Sequence, residues 1–267
     1  MRHMLFVLLL VAVVGCGNSD TSPDEQAVKP EADTAEITTV KNLDMSFVTI
    51  PAGTFMMGDA NGENNETPHQ VTLTKGFELG VYEVTQEQYE QVMGSNPSHY
   101  KGAQNPVENM RWDDAVEFCR KLSELPAEQS AGYVHRLPTE AEWEYACRAG
   151  TDTAYSFGDS ESELGEHAWD GRKSGDTTHP VGRKKPNGLG LYDMHGNVFE
   201  WCQDWYGNYP KGSVTDPTGH SSGSNRVLRG GGWFNAADDC RSANRIRLDP
   251  SSRSGILGFR VARSSVK

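Results

Sequence analysis

Two hydrophobic periods alternate along the first half of this chain, and an irregular regime follows. Between Met45 and Gly58, β-branched and aromatic residues are interleaved with Pro and Gly, the mixture expected of short strands around a tight turn. From Glu66 to Gly80, apolar and polar positions alternate around Val71 and Leu73, which again predicts strand. After Tyr82-Glu83-Val84 the spacing becomes helical. Thr85 can cap this helix, and Gln88, three residues on, completes a capping box. Tyr89, Val92 and Met93 form its apolar face, and it should stop by Gly94 and Pro97. A second helix is predicted from about Asp113 to Glu124, because Trp112, Ala115, Val116, Cys119 and Leu122 recur at helical spacing, with Pro126 ending it. The third helix has the clearest start: Thr139 as cap and Glu142 at the box position, with Trp143, Ala146 and Cys147 facing the core and Gly150 closing it.

Beyond Gly150 the pattern dissolves into Gly, Asn, Asp, Ser and aromatic residues, with only short strand-like pieces and no internal repeat. The expectation is an α+β fold: a compact single domain, low in regular secondary structure, over residues 43–264. A domain so rich in loops must still pair its buried backbone groups, which favours ordered turns and bound ions.

The N-terminal segment changes the picture. Arg2 and His3 precede an apolar run from Leu5 to Val14 that is too short to span a bilayer, and Val13-Val14-Gly15-Cys16 follows. This arrangement resembles a bacterial lipobox. It implies removal of residues 1–15, a lipid on Cys16 and, with Gly17 next, export to an outer membrane facing the periplasm or the cell surface. Residues 16–42 are rich in Asp, Glu, Thr, Ser and Pro and read as a flexible tether that cannot bury enough apolar surface to order itself. The net charge of −12 argues against a nucleic-acid partner. With Cys16 acylated, Cys119, Cys147, Cys202 and Cys240 are left in a compartment that permits disulfides. They allow three pairing schemes, one of which joins Cys202 to Cys240. No CxxC spacing points to a structural zinc.

Several blocks carry a specific resemblance: the run from Ile50 to Gly58, Glu83 to Tyr89, Arg136 to Ala146, Gly190 to Trp201, Arg229 to Phe234, Cys240 to Arg245, and Gly258 to Val261. In this order they resemble the formylglycine-generating enzymes, or sulfatase-modifying factors, over about Phe47 to Arg263. That resemblance implies a fold related to C-type lectins. It also implies O₂-dependent oxidation of a client sulfatase's cysteine at copper held by two cysteines. The second of those cysteines falls on Cys240, whereas the first falls on Asn235, and an active-site serine falls on Gly232. Trp233, Phe234, Asn235, Arg241, Asn244 and Arg245 are implied to line the substrate groove. The family's disulfide partners for Cys119 and Cys147 fall on Val261 and Arg245, so that framework is gone.

The resemblance further implies a calcium ion on Asp193, Gly196, Val198 and Glu200, two carboxylates and two backbone carbonyls of the hard-oxygen type calcium prefers. Copper(I) prefers soft thiolates, and an Asn amide cannot replace one. The expectation is therefore a divergent, non-catalytic member that binds a protein or peptide client, a sulfatase among the candidates. The alternative is an active formylglycine-generating oxidase. Gly230-Gly231-Gly232 reads as close-packed backbone rather than a phosphate cradle. His167, His179 and His195 show no ligand spacing.

Overall fold

The computed structural model describes residues 37–265. The expected signal sequence, the expected lipid site Cys16 and most of the expected tether lie outside the described residues. In chain order the strands are β1 (Ile37–Val40), β2 (Met45–Ile50), β3 (Gly53–Met57), β4 (His69–Leu73), β5 (Phe77–Gly80), β6 (Tyr133–Arg136), β7 (Phe199–Trp205), β8 (Val214–Thr215), β9 (Arg226–Arg229), β10 (Arg245–Leu248), β11 (Leu257–Gly258) and β12 (Ala262–Ser265). The helices are α1 (Gln86–Met93), α2 (Trp112–Ser123), α3 (Pro126–Ala131), α4 (Glu140–Arg148) and the single turn α5 (Leu164–His167). Short strands and short helices joined by long ordered loops make this the α+β, loop-rich domain the pattern predicts.

Three small sheets organise the domain, in the orders β1-β2-β5-β12-β6, β10-β9-β7-β11 and β3-β4-β8. The last strand, β12, is inserted antiparallel between β5 and β6, so the C-terminal segment closes the first sheet. Strand β1 corrects the boundary drawn at residue 42. It pairs antiparallel with β2, and the Thr38 hydroxyl donates to Glu78 at 2.8 Å. The ordered fold thus reaches at least to Ile37, because a neighbouring edge pairs its backbone even where its side chains bury little.

Two of the helices, α1 and α4, start where side-chain capping places them. Thr85 and Thr139 each accept the N3 amide while Gln88 and Glu142 reach back to the cap amide, two complete capping boxes. Gly94 ends α1 in the left-handed conformation, whereas α4 ends on Ala149 at φ 50°, one residue before the expected Gly150. Pro126 does not merely stop α2. It opens α3 as its first residue, where a missing N–H costs nothing. On α2 the buried face is Ala115, Phe118, Cys119 and Leu122, and Val116 is exposed.

Two large apolar clusters form the core. One holds Phe47, Tyr89, Phe118, Cys119, Trp201, Phe259 and Val261; the other holds Ile50, Leu79, Trp143, Cys147, Met194 and Cys202. Cys240 belongs to a third, smaller cluster with Tyr155, Leu164, Ala168 and Ala237. The four cysteines among the described residues are buried free thiols. The Cys202–Cys240 bridge is therefore not formed, for the physical reason that the two side chains are buried in separate clusters.

Candidate functional site

The segment from Asp193 to Glu200 is a turn forced through tight backbone. Asp193 and Asn197 stand at φ 58° and 65°, and Gly196 at φ 154°. A Cβ at Gly196 would lie 2.5 Å from the Trp169 carbonyl oxygen, so only glycine fits there. Beyond the turn, β7 carries Glu200 into the core.

Three carboxylates meet around this turn. Glu200 accepts Arg260 Nε and an Arg260 terminal nitrogen at 2.7 Å each, and Trp143 Nε1 at 2.7 Å. Glu83, on which the sequence analysis placed no role, accepts the Val198 amide at 3.1 Å and Asn197 Nδ2 at 2.7 Å. Asp193 accepts the Gly182 amide through Oδ2 at 2.7 Å, while its Oδ1 is buried with no partner. Burial raises the Asp193 carboxyl to about 6, and burial next to Asp193 and Glu200 pushes Glu83 well above the carboxylate range. The fully buried Arg260 pairs with Glu200 and acts on Glu83 and Asp193 only through its charge.

These observations bear on calcium. An orphaned buried carboxylate oxygen on Asp193, beside more buried acid than paired base, is a donor set that fits a hard cation. Asp193, with the Gly196 and Val198 carbonyls, would supply the ligands. Glu200 is already engaged by Arg260 and Trp143, so it would act mainly as a neighbouring charge. Among the described residues, no three His, Cys, Asp or Glu side chains converge as a metal site. A site built largely from backbone carbonyls does not require three.

The Gly230–Cys240 segment packs against the same turn: the Trp233 amide donates to the Asn197 carbonyl at 2.8 Å. A Cβ at Gly231 would lie 2.6 Å from Cys240 Sγ, which bears out the close-packed reading of the glycine run. Asn235 donates through Nδ2 to Asp239 at 2.9 Å and leaves Oδ1 buried without a partner. Cys240 is wholly buried. Burial first, then the nearby Asp170 and Asp239, pushes its thiol far up and keeps it protonated. His195 binds the Cys240 carbonyl through Nδ1 at 2.9 Å and Ser156 Oγ through Nε2 at 2.9 Å; burial lowers it to about 4, so it is a neutral structural imidazole.

Copper does not fit this donor set. A single neutral thiol and a carboxamide replace the pair of thiolates that copper(I) requires.

The six residues implied to line a groove have different surroundings. Trp233 and Phe234 form an edge-to-face pair next to Tyr100, and Phe234 is 67% exposed. Arg241 is bound by Glu66 at 2.8 and 3.0 Å. Asn244 is buried, and its carbonyl accepts from Arg229. Arg245 forms a bidentate pair with Glu140 at 2.7 Å through each nitrogen and stacks on Tyr209, lining a different cleft. The buried acid at this turn to which sequence reasoning gave no role is Glu83; its signal was its place at the head of the Glu83 to Tyr89 block.

Known proteins share this arrangement of sequence and fold. The chain is 30% identical to a Paenibacillus barcinonensis protein named chaperone protein LppX, over 99% of this chain and 100% of the relative. It is 31% identical to the formylglycine-generating enzyme of Streptomyces coelicolor, over 80% of this chain and 88% of that enzyme. Among solved structures, Treponema denticola variable protein 1 superposes with a TM-score of 0.78 at 37% identity, covering 86% of this chain and 98% of that one. The profile of the sulfatase-modifying factor enzyme 1-like domain matches residues 33–265. The chain therefore belongs to the sulfatase-modifying factor, or formylglycine-generating enzyme-like, family.

Proposed function

We propose that this chain is a client-binding member of its family in which the cysteine oxidase is idle. The observation that carries this reading is the pair Asn235 and Cys240: a carboxamide at one copper position and a buried, protonated thiol at the other. The exposed Phe234 beside Trp233 offers an aromatic surface for a polypeptide. That a full-length relative is named a chaperone supports a role in holding protein clients. In this reading Cys16 carries the lipid that holds the domain at an exported membrane surface. Among the described residues no helix is long and apolar enough to cross a membrane. A calcium ion at Asp193, Gly196 and Val198 fixes the turn that supports the Gly230–Cys240 segment.

The competing reading, an active oxidase, draws on the identity to the Streptomyces enzyme. Incubating the mature domain with a sulfatase-motif peptide, copper and O₂ separates the two. The expected result is an unmodified peptide by mass spectrometry across all copper levels, with specific polypeptides recovered by crosslinking in the native envelope. Conversion of the peptide cysteine to an aldehyde would establish the oxidase and end the idle-site reading.

A further inference from the structure

A second cleft, of about 450 Å³, is lined by residues of α4, the 205–220 loop and β10. That volume lies in the range of small-ligand sites, roughly 300–1,000 Å³. Met57, Ala141, Val214 and Pro217 give it apolar walls, and Glu140, Asp204 and Arg245 give it charge. The acids around it differ in how they are neutralised. Glu140 is held by both Arg245 nitrogens and by the Tyr209 hydroxyl at 3.0 Å. Glu142 is held by Arg136 at 2.6 and 2.7 Å. Asp204 is 4% exposed, and among the described residues it stands in no ion pair. Its Oδ2 accepts the Glu140 amide at 2.8 Å at the start of α4, whereas among the described residues its Oδ1 accepts no hydrogen bond and lies beside Gly219 at the cleft lining. The guanidinium of nearby Arg226 is taken up between the rings of Trp112 and Trp205, at 3.7 and 3.5 Å.

We propose that this cleft binds an aliphatic ammonium group, carried on a free alkylamine or on a lysine side chain, with Asp204 as its counter-ion. An ammonium supplies both the donor and the charge that the free carboxylate oxygen lacks. The apolar walls suit the methylene stem behind it. An anion would meet the acids Glu140 and Asp204, and a neutral alcohol brings no positive charge to hold Asp204 in its ionised form.

The groups facing Asp204 give the site a pH signature. Glu140 and Glu142 on α4, Arg245 on β10, Arg226 on β9, Cys202 on β7 and His220 in the loop surround it. Burial, then Glu140, raises its carboxyl to about 8, so at neutral pH the empty cleft holds a protonated acid. Ammonium binding requires the carboxylate and expels that proton. Affinity must therefore rise with pH up to Asp204's value and level off above it. The ionised fraction predicts a gain of about tenfold or more between about pH 6.5 and about pH 8.5.

Calorimetry on the folded chain tests this with n-butylamine and N-acetyl-lysine methylamide, against 1-butanol and butyrate. Both amines should bind more tightly at the higher pH with proton release, and neither control should bind. Preference for the lysine derivative would assign the ligand to a polypeptide, and equal binding to free amines. Asp204→Asn keeps an acceptor for the Glu140 amide, so it should retain the thermal midpoint yet lose amine binding. Thr218→Trp, at the cleft lining, leaves Asp204 intact and should block entry. Absence of amine binding at the higher pH, equal binding of 1-butanol, or undiminished binding by folded Asp204→Asn would each overturn the proposal.

Discussion

At Asn235 and Arg245 the family resemblance implies cysteines, and this chain carries a carboxamide and a guanidinium there instead. At Asn235 the amide makes a local bond to Asp239, and nothing soft faces Cys240's sulfur from that position. At Arg245 the covalent tie implied by family resemblance is replaced by an ion pair. The guanidinium joins β10 to Glu140 on α4, the helix that also carries Cys147. Val261, at the other lost disulfide position, packs in the same apolar cluster as Cys119. Where the resemblance implies two bridges, this chain has one buried salt bridge and one apolar contact. Removing one partner of a buried pair strands the other charge and typically costs about 3–5 kcal/mol. Arg245→Ala should therefore lower unfolding free energy by that order in denaturant titration, while an exposed change such as Arg247→Ala should alter it by less than about 0.5 kcal/mol. Equal, small effects would show that the pair does not replace a bridge.

At the level of elements, legibility followed local chemistry. The starts of α1 and α4 could be read because Thr85 and Thr139 each hold a complete capping box, a signal contained within four residues. Strand β1 could not be read, because its order comes from pairing with β2 and not from its own composition. Pro126 was ambiguous, since the same residue ends one helix and suits the first position of the next. Ala149 shows that a left-handed helix end does not always wait for the nearest glycine. The 193–200 turn was legible as a unit, but its buried companion Glu83 arrives from a segment more than a hundred residues away, beyond any local pattern. This turn is where calcium should be felt. Adding calcium to chelator-treated protein should raise the thermal midpoint, since a ligand at a hundredfold excess over its Kd stabilises by about 2.7 kcal/mol. Magnesium should do so less, and Asp193→Ala should abolish the shift. A midpoint indifferent to calcium would remove the ion from the account.

For the molecule as a whole, the arrangement explains why a poorly regular sequence still specifies one fold. Closing the first sheet with β12 between β5 and β6 links the chain's last described strand to its early ones. Fully buried arginines at 229, 260 and 263 tie distant segments together through Glu144, Glu200, Glu78 and Glu128. Motif order was enough to read this architecture, because the blocks that resemble the family are largely those that build its packed centre. The acids that hold Arg241 and Arg245, Glu66 and Glu140, were not readable, because each comes from a segment far away in sequence. The family fold is kept, and the proposed function turns on one donor set. Titrating copper(I) into the purified, reduced domain against a competing chelator tests that difference most directly. The account predicts no tight, stoichiometric copper in the wild-type protein, and copper binding gained by the Asn235→Cys, Gly232→Ser double variant. One tightly held cuprous ion per wild-type chain would contradict it.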